Sequence, residues 1–144
     1  KYVNELLGVN SRLDELQASF LSVKLPVLDA DNSTRRDIAT AYIKGITNTK
    51  IVLPAYDGSK NHVFHLFVVQ VENRNQFQDY LKNNGIGTLI HYPIPPHHQE
   101  ALKEFAVLQL PISEKIHQQV ISLPMSPVMT KAQIQKVINV VNAY

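Results

Sequence analysis

The chain has 144 residues, a length typical of one domain, and 44% of them are hydrophobic, as in a globular protein. Its 14 Lys and Arg and 12 Asp and Glu give a charge of +2 without long blocks of one sign. This composition indicates neither a basic surface stripe for nucleic acid nor a polybasic membrane anchor.

The lack of cysteine excludes disulfides and thiolate metal sites. No apolar run reaches the ~20 residues of a membrane span, so we expect a soluble, cytoplasmic protein. Because the chain begins without Met, we expect a piece of a larger one.

Apolar residues recur at steps of three and four from Ser11 onward, which predicts an amphipathic helix. Ser11 and Asp14 have the spacing of a capping box at its start. Pro26 should end or kink this helix, because proline lacks the backbone N–H. The apolar residues concerned are Leu13, Leu16, Phe20, Val23 and Val27.

A second helix should follow, with Ile38, Tyr42 and Ile46 on one face. Arg35 and Arg36 are expected near its start, on a solvated face.

Two strands are predicted next, a short one at Lys50–Leu53 and a longer one at His62–Val71. Alternation in the longer strand places apolar residues on both faces, as in a central, covered strand. His62 and His65 should face opposite sides of it. His65 is expected to be hydrogen-bonded within the covered sheet.

The second half of the chain predicts further helices and short extended pieces. Asn73 and Gln76 resemble a capping box, and Gly85 suits the left-handed position after the helix that follows. Thr130 and Gln133 should cap a last helix with a clear apolar stripe. A strand is expected at Thr88–His91, helices around Gln99–Phe105 and Ser113–Ile121, and an extended piece at Ser122–Pro124. The order predicts an α+β fold with helices on a small antiparallel or mixed sheet.

Candidate binding residues lie at two places. His91 and Tyr92 end a strand and enter a proline-fixed loop, where they could hydrogen-bond to a ligand or stack on it. Asn10 and Arg12 lie at a predicted helix start, which favours an anion, although capping alone would also explain Asn10.

Other catalytic signatures are weak. No metal site is predicted, because His97 and His98 are adjacent without an acidic cluster nearby in sequence. Lys60 is expected on an exposed turn, since nothing around it would desolvate the amine. There is neither a Gly-x-Ser-x-Gly elbow nor a dinucleotide-binding glycine motif.

Four segments together resemble the carboxy-terminal part of the DegT/DnrJ/StrS sugar aminotransferases. The resemblance covers nearly the whole chain, with the segments in the family's order. They are Gly8–Ala18, His62–Val69, Gly85–Pro93 and Leu123–Pro127.

The resemblance implies the small carboxy-terminal domain of a fold type I, pyridoxal-phosphate-dependent aminotransferase, with helices on a mostly antiparallel sheet. It implies one domain at 1–144, with a helical lead-in at 1–46 and an α+β core at 47–144. Asn10 would contact the cofactor phosphate across a homodimer interface. Arg12 would lie near that phosphate or the sugar nucleotide, and with His91 and Tyr92 it is assigned to substrate binding.

The implied reaction transfers an amino group from glutamate to a nucleotide-linked keto-sugar in polysaccharide or deoxysugar biosynthesis. The amino-acid sequence around Ser11 is most similar to that of family members acting on dTDP-3-keto-6-deoxyhexoses. The family's Schiff-base lysine lies upstream of this segment, so no catalytic residue is expected here and the chain alone should be inactive. A small-molecule-binding α+β module and, less favoured, a His-based metallohydrolase remain as alternatives.

Overall fold

The computed structural model describes residues 2–144 and contains five α-helices and three strands in them. The helices are α1 (Glu15–Lys24), α2 (Leu28–Gly45), α3 (Arg74–Asn83), α4 (Pro111–Gln119) and α5 (Lys131–Asn142). The strands are β1 (Ile51–Val52), β2 (Phe67–Val71) and β3 (Val120–Leu123), and 3-10 turns lie at Leu25–Val27, Pro96–His98 and Glu100–Phe105. Helices packed on one small antiparallel sheet confirm the predicted α+β class.

The sheet has the order β1-β2-β3, so β2 is central, as predicted. Val69 of β2 lies opposite Ile121 of β3, and both side chains are buried. On the other edge Val71 lies opposite Ile51. Side chains of β2 alternate between buried and half-buried, so one of its faces is covered more fully than the other.

The strand predicted at His62–Val71 is half as long as expected, because it begins only at Phe67. Phe64 has a φ of +49°, in the left-handed region, and its N–H donates to Nδ1 of His62 at 2.8 Å. The backbone therefore turns at the position where the strand should run. His65 is exposed and lies outside the strand, so the prediction that it is held within a covered sheet is wrong.

The core lies between the sheet and helices α2, α3 and α5. Tyr42 of α2 is fully buried and donates its hydroxyl to the carbonyl oxygen of Pro124 at 2.9 Å. Burial raises the pKa of this phenol well above its usual value, so Tyr42 stays neutral. Helices α2 and α5 approach closely at Gly45, where a Cβ atom would lie 2.8 Å from Cδ1 of Ile138.

The predicted cap of α5 is confirmed. The Thr130 hydroxyl accepts from the backbone N–H of Gln133, and the Gln133 side chain accepts from the N–H of Thr130, at 3.2 and 2.9 Å. These bonds satisfy two donors that a helix start leaves without partners.

The expected capping box at Asn73 and Gln76 is absent, because Asn73 makes no side-chain cap bond. The end of α3 is as predicted, since Gly85 has a φ of +71°. Helix α2 already begins at Leu28, so Arg35 and Arg36 lie in its middle instead of near its start.

Helix α1 forms as predicted but begins later and buries none of its residues. Asp14, not Ser11, is the N-cap, and its Oδ1 accepts from the N–H of Gln17 at 2.7 Å. Pro26 lies in the 3-10 turn that separates α1 from α2, which confirms the predicted break. The large apolar side chains of α1 are 54 to 79% exposed, namely those of Leu16, Phe20, Leu21 and Val23.

Helix α2 was placed in the lead-in at 1–46, yet it contributes Ile38, Ala39 and Tyr42 to the core. The single-domain assignment of 1–144 and its division at residue 46 stay predictions. Within residues 2–144, none of the helices has the length and apolar character needed to span a membrane.

Candidate functional site

The loop that carries His91 is tied to the sheet. Leu89 forms an isolated antiparallel bridge with Ser122 of β3, in which the N–H of Ser122 donates to the Leu89 carbonyl at 2.8 Å. This bridge is what remains of the strand predicted at Thr88–His91. It places His91 over the last residues of β3, where Nδ1 of its ring lies 2.9 Å from Oγ of Ser122.

His91 and Ser122 line a cleft of about 380 Å³ between the loop and the end of β3. Ser122 is only 5% exposed, whereas His91 is half-buried. The volume lies within the range of small-molecule sites, roughly 300–1,000 Å³. The other lining residues are Leu66, Gly87, Thr88, Leu89, Leu123, Pro124 and Met125.

Tyr92 lines a different cleft from His91, although the rings of these adjacent residues contact each other edge to face, with 5.4 Å between centroids. Its ring contacts that of Tyr2 edge to face, with 6.1 Å between centroids, and its carbonyl accepts from Nδ1 of His117 at 2.6 Å. Tyr92 and His117 line a second cleft of about 560 Å³. The two residues that were expected to border one ligand thus contact each other and line neighbouring clefts, and their shared role stays a prediction.

The second cleft is closed on one side by the start of the described chain. The Gln99 side chain accepts from the N–H of Asn4 at 2.9 Å and donates to the carbonyl of Tyr2 at 3.0 Å. The N–H of Ala101 donates to the carbonyl of Asn4 at 2.9 Å. Gln99 is buried, and these bonds fix the first residues against the turn at Glu100–Phe105.

Asn10 and Arg12 are exposed and make no hydrogen bond to another described residue. They precede α1 instead of lying at its start, since the helix begins at Glu15. Asp14 and Glu15 place two carboxylates at that helix start, where they would repel an anion. The helix-start argument for phosphate binding was therefore wrong, and the resemblance alone assigns these two residues.

His97 has an acidic neighbour that its sequence surroundings did not reveal. Its Nε2 lies 3.3 Å from Oε1 of Glu114, and His98 offers a nitrogen nearby, so the three residues could hold a metal ion. The same Glu114 oxygen accepts from the N–H of Leu110 at 2.9 Å, at the start of α4. These bonds, that of Leu110 first and that of His97 second, hold the pKa of Glu114 below its usual value. Glu114 is thus already engaged in fixing a helix start to a buried ring.

The remaining histidines and the lysines do not form a catalytic cluster in residues 2–144. His62 stacks on Phe64 with 4.0 Å between centroids, outside any strand. Each lysine from Lys24 to Lys136 is exposed, including Lys60 in its turn.

Sequence reasoning missed the partners of the candidate residues. Ser122 contacts His91 and His117 contacts Tyr92 across 31 and 25 residues of sequence, and a local pattern does not contain such contacts.

The model of the DegT/DnrJ/EryC1/StrS aminotransferase family matches residues 1–142. The chain is 54% identical over 144 residues to the dTDP-3-amino-3,6-dideoxy-alpha-D-galactopyranose transaminase of Aneurinibacillus thermoaerophilus. These residues are all of this chain and 40% of the relative.

Solved structures show the same fold. The crystal structure of S. venezuelae DesV in complex with a ketimine intermediate has a TM-score of 0.85 and 38% identity, over 99% of this chain and 39% of that one. NtdA from Bacillus subtilis with bound cofactor PMP has a TM-score of 0.76 and 31% identity, over 93% of this chain and 33% of that one. The chain therefore spans 33 to 40% of the length of these relatives.

The family model matches nearly every residue of the chain, and solved relatives share its fold. The chain therefore belongs to the DegT/DnrJ/EryC1/StrS aminotransferase family, which is pyridoxal-phosphate-dependent.

Proposed function

We propose that this chain is the carboxy-terminal segment of a transaminase that transfers an amino group from glutamate to a dTDP-linked 3-keto-6-deoxy sugar. The observation that carries the proposal is the 54% identity, over the whole chain, to a relative named for a dTDP-3-amino sugar. The proposed enzyme is a cytoplasmic homodimer of deoxysugar or polysaccharide biosynthesis.

The residues of this chain are suited to contact the phosphate end of the cofactor, and none is suited to bond with its reactive end. The Asn10 amide and the Arg12 guanidinium are exposed donors without a described partner, as a phosphate contact requires. No described lysine is buried in a pocket that would make its amine nucleophilic. When bound, the cofactor supplies the electron sink for amino transfer. This chain contributes phosphate and substrate contacts, and the lysine belongs to the part of the polypeptide outside it.

The proposed substrate contacts line two neighbouring clefts. His91 presents a ring nitrogen at the smaller cleft, while Tyr92 presents a ring and hydroxyl at the larger one. A ligand with a sugar at one end and a nucleotide at the other is extended enough to contact more than one surface. Positioning of this kind lowers the barrier by orienting the reacting groups.

The apolar face of α1 supports the view that more of the polypeptide packs here. Phe20 and Val23 are 62 and 79% exposed, beside Leu16 and Leu21 on a short helix. Contiguous exposed apolar patches are rare on monomeric proteins. Because the chain spans only 40% of the relative's length, we take the cover of α1 to be the remainder of the same polypeptide.

The test uses the longer polypeptide that contains this chain, purified with pyridoxal phosphate and assayed with glutamate and the dTDP-3-keto sugar. We expect turnover from the longer polypeptide and none from the 144-residue chain alone. Turnover by the short chain, or none by the long one, would contradict the proposal.

Two variants of the longer polypeptide test the assigned contacts. Asn10→Ala should weaken cofactor binding by roughly tenfold or more, since a hydrogen bond to a charged group contributes about 1.5–3 kcal/mol. Asn83→Ala, at an exposed position in α3, is the matched control and should leave cofactor binding unchanged.

His91→Ala should raise KM for the sugar nucleotide. Unchanged KM and kcat in this variant would remove His91 from the site.

A further inference from the structure

The side chains of His91 and Ser122 contact each other in addition to the backbone bridge between their two segments. Nδ1 of His91 lies 2.9 Å from Oγ of Ser122, within hydrogen-bond distance. The bridge between Leu89 and Ser122 holds the two segments in register, and Val68 lies opposite Ser122 on the other side of β3. The backbone of Ser122 is therefore held by pairing on both sides, and its hydroxyl contacts the imidazole of His91.

The burial of Ser122 decides which partner donates. A serine hydroxyl has one hydrogen, and Nδ1 of His91 is the one hydrogen-bond partner of Oγ among the described residues. If Nδ1 carried the proton, the hydroxyl would accept it and its own hydrogen would have no acceptor among the described residues, while Ser122 itself is only 5% exposed to solvent. An unsatisfied buried donor is unfavourable, because its lost hydration is not replaced by another hydrogen bond. The hydroxyl therefore donates to Nδ1, and the neutral imidazole carries its proton on Nε2.

The second ring nitrogen is then a donor without a partner. Nε2 of His91 makes no hydrogen bond to any described residue, and His91 lines the cleft of about 380 Å³. A ligand in this cleft can satisfy the N–H only with an atom that accepts a hydrogen bond.

We propose that Ser122 is a positioning residue that fixes His91 as the Nε2–H tautomer, so that His91 selects a ligand oxygen that accepts a hydrogen bond. The tautomer follows from the contact and from the burial of Ser122, whatever the ligand is. The identity of the ligand as a sugar nucleotide rests on the proposed function. A carbonyl, hydroxyl or phosphate oxygen satisfies the donor, whereas an ammonium or amide N–H at the same place leaves it unpaired.

The first test is the ¹⁵N NMR spectrum of the histidine rings of the 144-residue chain near neutral pH, which needs neither cofactor nor activity. We expect a pyridine-type shift for Nδ1 and a pyrrole-type shift for Nε2 of His91. Ser122→Thr keeps the hydroxyl and should keep this pattern, whereas Ser122→Ala should give a mixture of tautomers. Ser22→Ala removes an exposed hydroxyl that bonds within α1 and is the matched control. Wild-type protein with the proton on Nδ1 would overturn the proposal, and this result requires no variant to fold.

The second test measures the kinetics of the longer polypeptide. Ser122→Ala should raise KM for the sugar nucleotide about 2- to 10-fold with kcat nearly unchanged, as expected for one neutral hydrogen bond. Ser122→Thr should restore KM. An equal rise in the inhibition constant of dTDP would place the accepting oxygen on the nucleotide, and an unchanged one would place it on the sugar.

The two tests fail separately. A polypeptide without transaminase activity but with the Nε2–H tautomer would refute the proposed function and leave the role of Ser122 standing. An active enzyme whose tautomer shifts in Ser122→Ala while its KM stays unchanged would refute the selection of a ligand oxygen by His91.

Discussion

Helices α1 and α5 have similar sequence signals and opposite surroundings. Both repeat apolar residues at helical spacing and both begin at a side-chain cap, Asp14 in α1 and Thr130 in α5. Val141 of α5 is fully buried, whereas Val23 of α1 is 79% exposed. Periodicity thus identifies an apolar face without identifying what covers it, because the cover is a property of the whole fold. For α5 the cover is α2 and the sheet, and for α1 we place it in the part of the polypeptide outside this chain.

The largest expected difference between the two helices comes from a matched pair of valines. Val141→Ala should lower the free energy of unfolding of the 144-residue chain by about 2–3 kcal/mol, since it removes buried methyl groups and leaves a cavity. Val23→Ala should change it by less than about 0.5 kcal/mol, because the side chain is already in water. Urea unfolding of both variants measures the difference. Equal effects would mean that α1 packs against the core in solution.

The caps of the two helices should give a smaller difference. Thr130→Ala removes the hydroxyl that accepts from the N–H of Gln133 and should cost about 1 kcal/mol of global stability. The second bond of the capping box is donated by the backbone N–H of residue 130, which alanine retains. Asp14→Ala should fray α1, seen as faster exchange of the Gln17 amide, with little change in global stability. Ser11→Ala should change neither quantity, and loss of helix in this variant would restore Ser11 as the cap.

The bonds that Glu114 makes at the start of α4 should stabilise the fold to a degree that depends on pH. The bonds from Leu110 and His97 hold the pKa of Glu114 below its usual value of 4.5 in the folded state. A depressed carboxyl pKa stabilises the fold above the unfolded pKa, and this contribution is lost as pH falls through the folded value. Glu114→Gln should therefore be less stable than wild type near neutral pH, with a difference that shrinks at more acidic pH below the usual value. Unfolding curves at both pH values measure this, with the exposed Glu104→Gln as control; a difference independent of pH would contradict it.

The sequence predicted most of the helices and the fold class because these depend on local patterns, whereas Thr88–His91 forms a single bridge and Glu100–Phe105 a 3-10 turn. The stripe of α5, the break at Pro26 and the left-handed Gly85 each follow from residue types a few positions apart. The start of β2 could not be predicted, since alternation continues through His62 and only the bond from Phe64 to the His62 ring turns the backbone there.

The candidate site was predicted less completely than the fold. The strand end entering a proline-fixed loop selected His91 and Tyr92, and in the structure their rings touch while they line two neighbouring clefts. Ser122 was read only as part of an extended piece, because its partner lies 31 residues away. The acidic partner of His97 was missed for the same reason, at a separation of 17 residues.

Hydrogen exchange of α1 in two lengths of the protein tests most directly whether this chain is one part of a larger transaminase. In the 144-residue chain we expect the amides of α1 to exchange with little protection and those of α5 to be strongly protected. In the longer polypeptide the amides of α1 should slow by about 100-fold or more while α5 stays protected, because the apolar face of α1 is then covered. Equal, rapid exchange of α1 in both lengths would contradict the account.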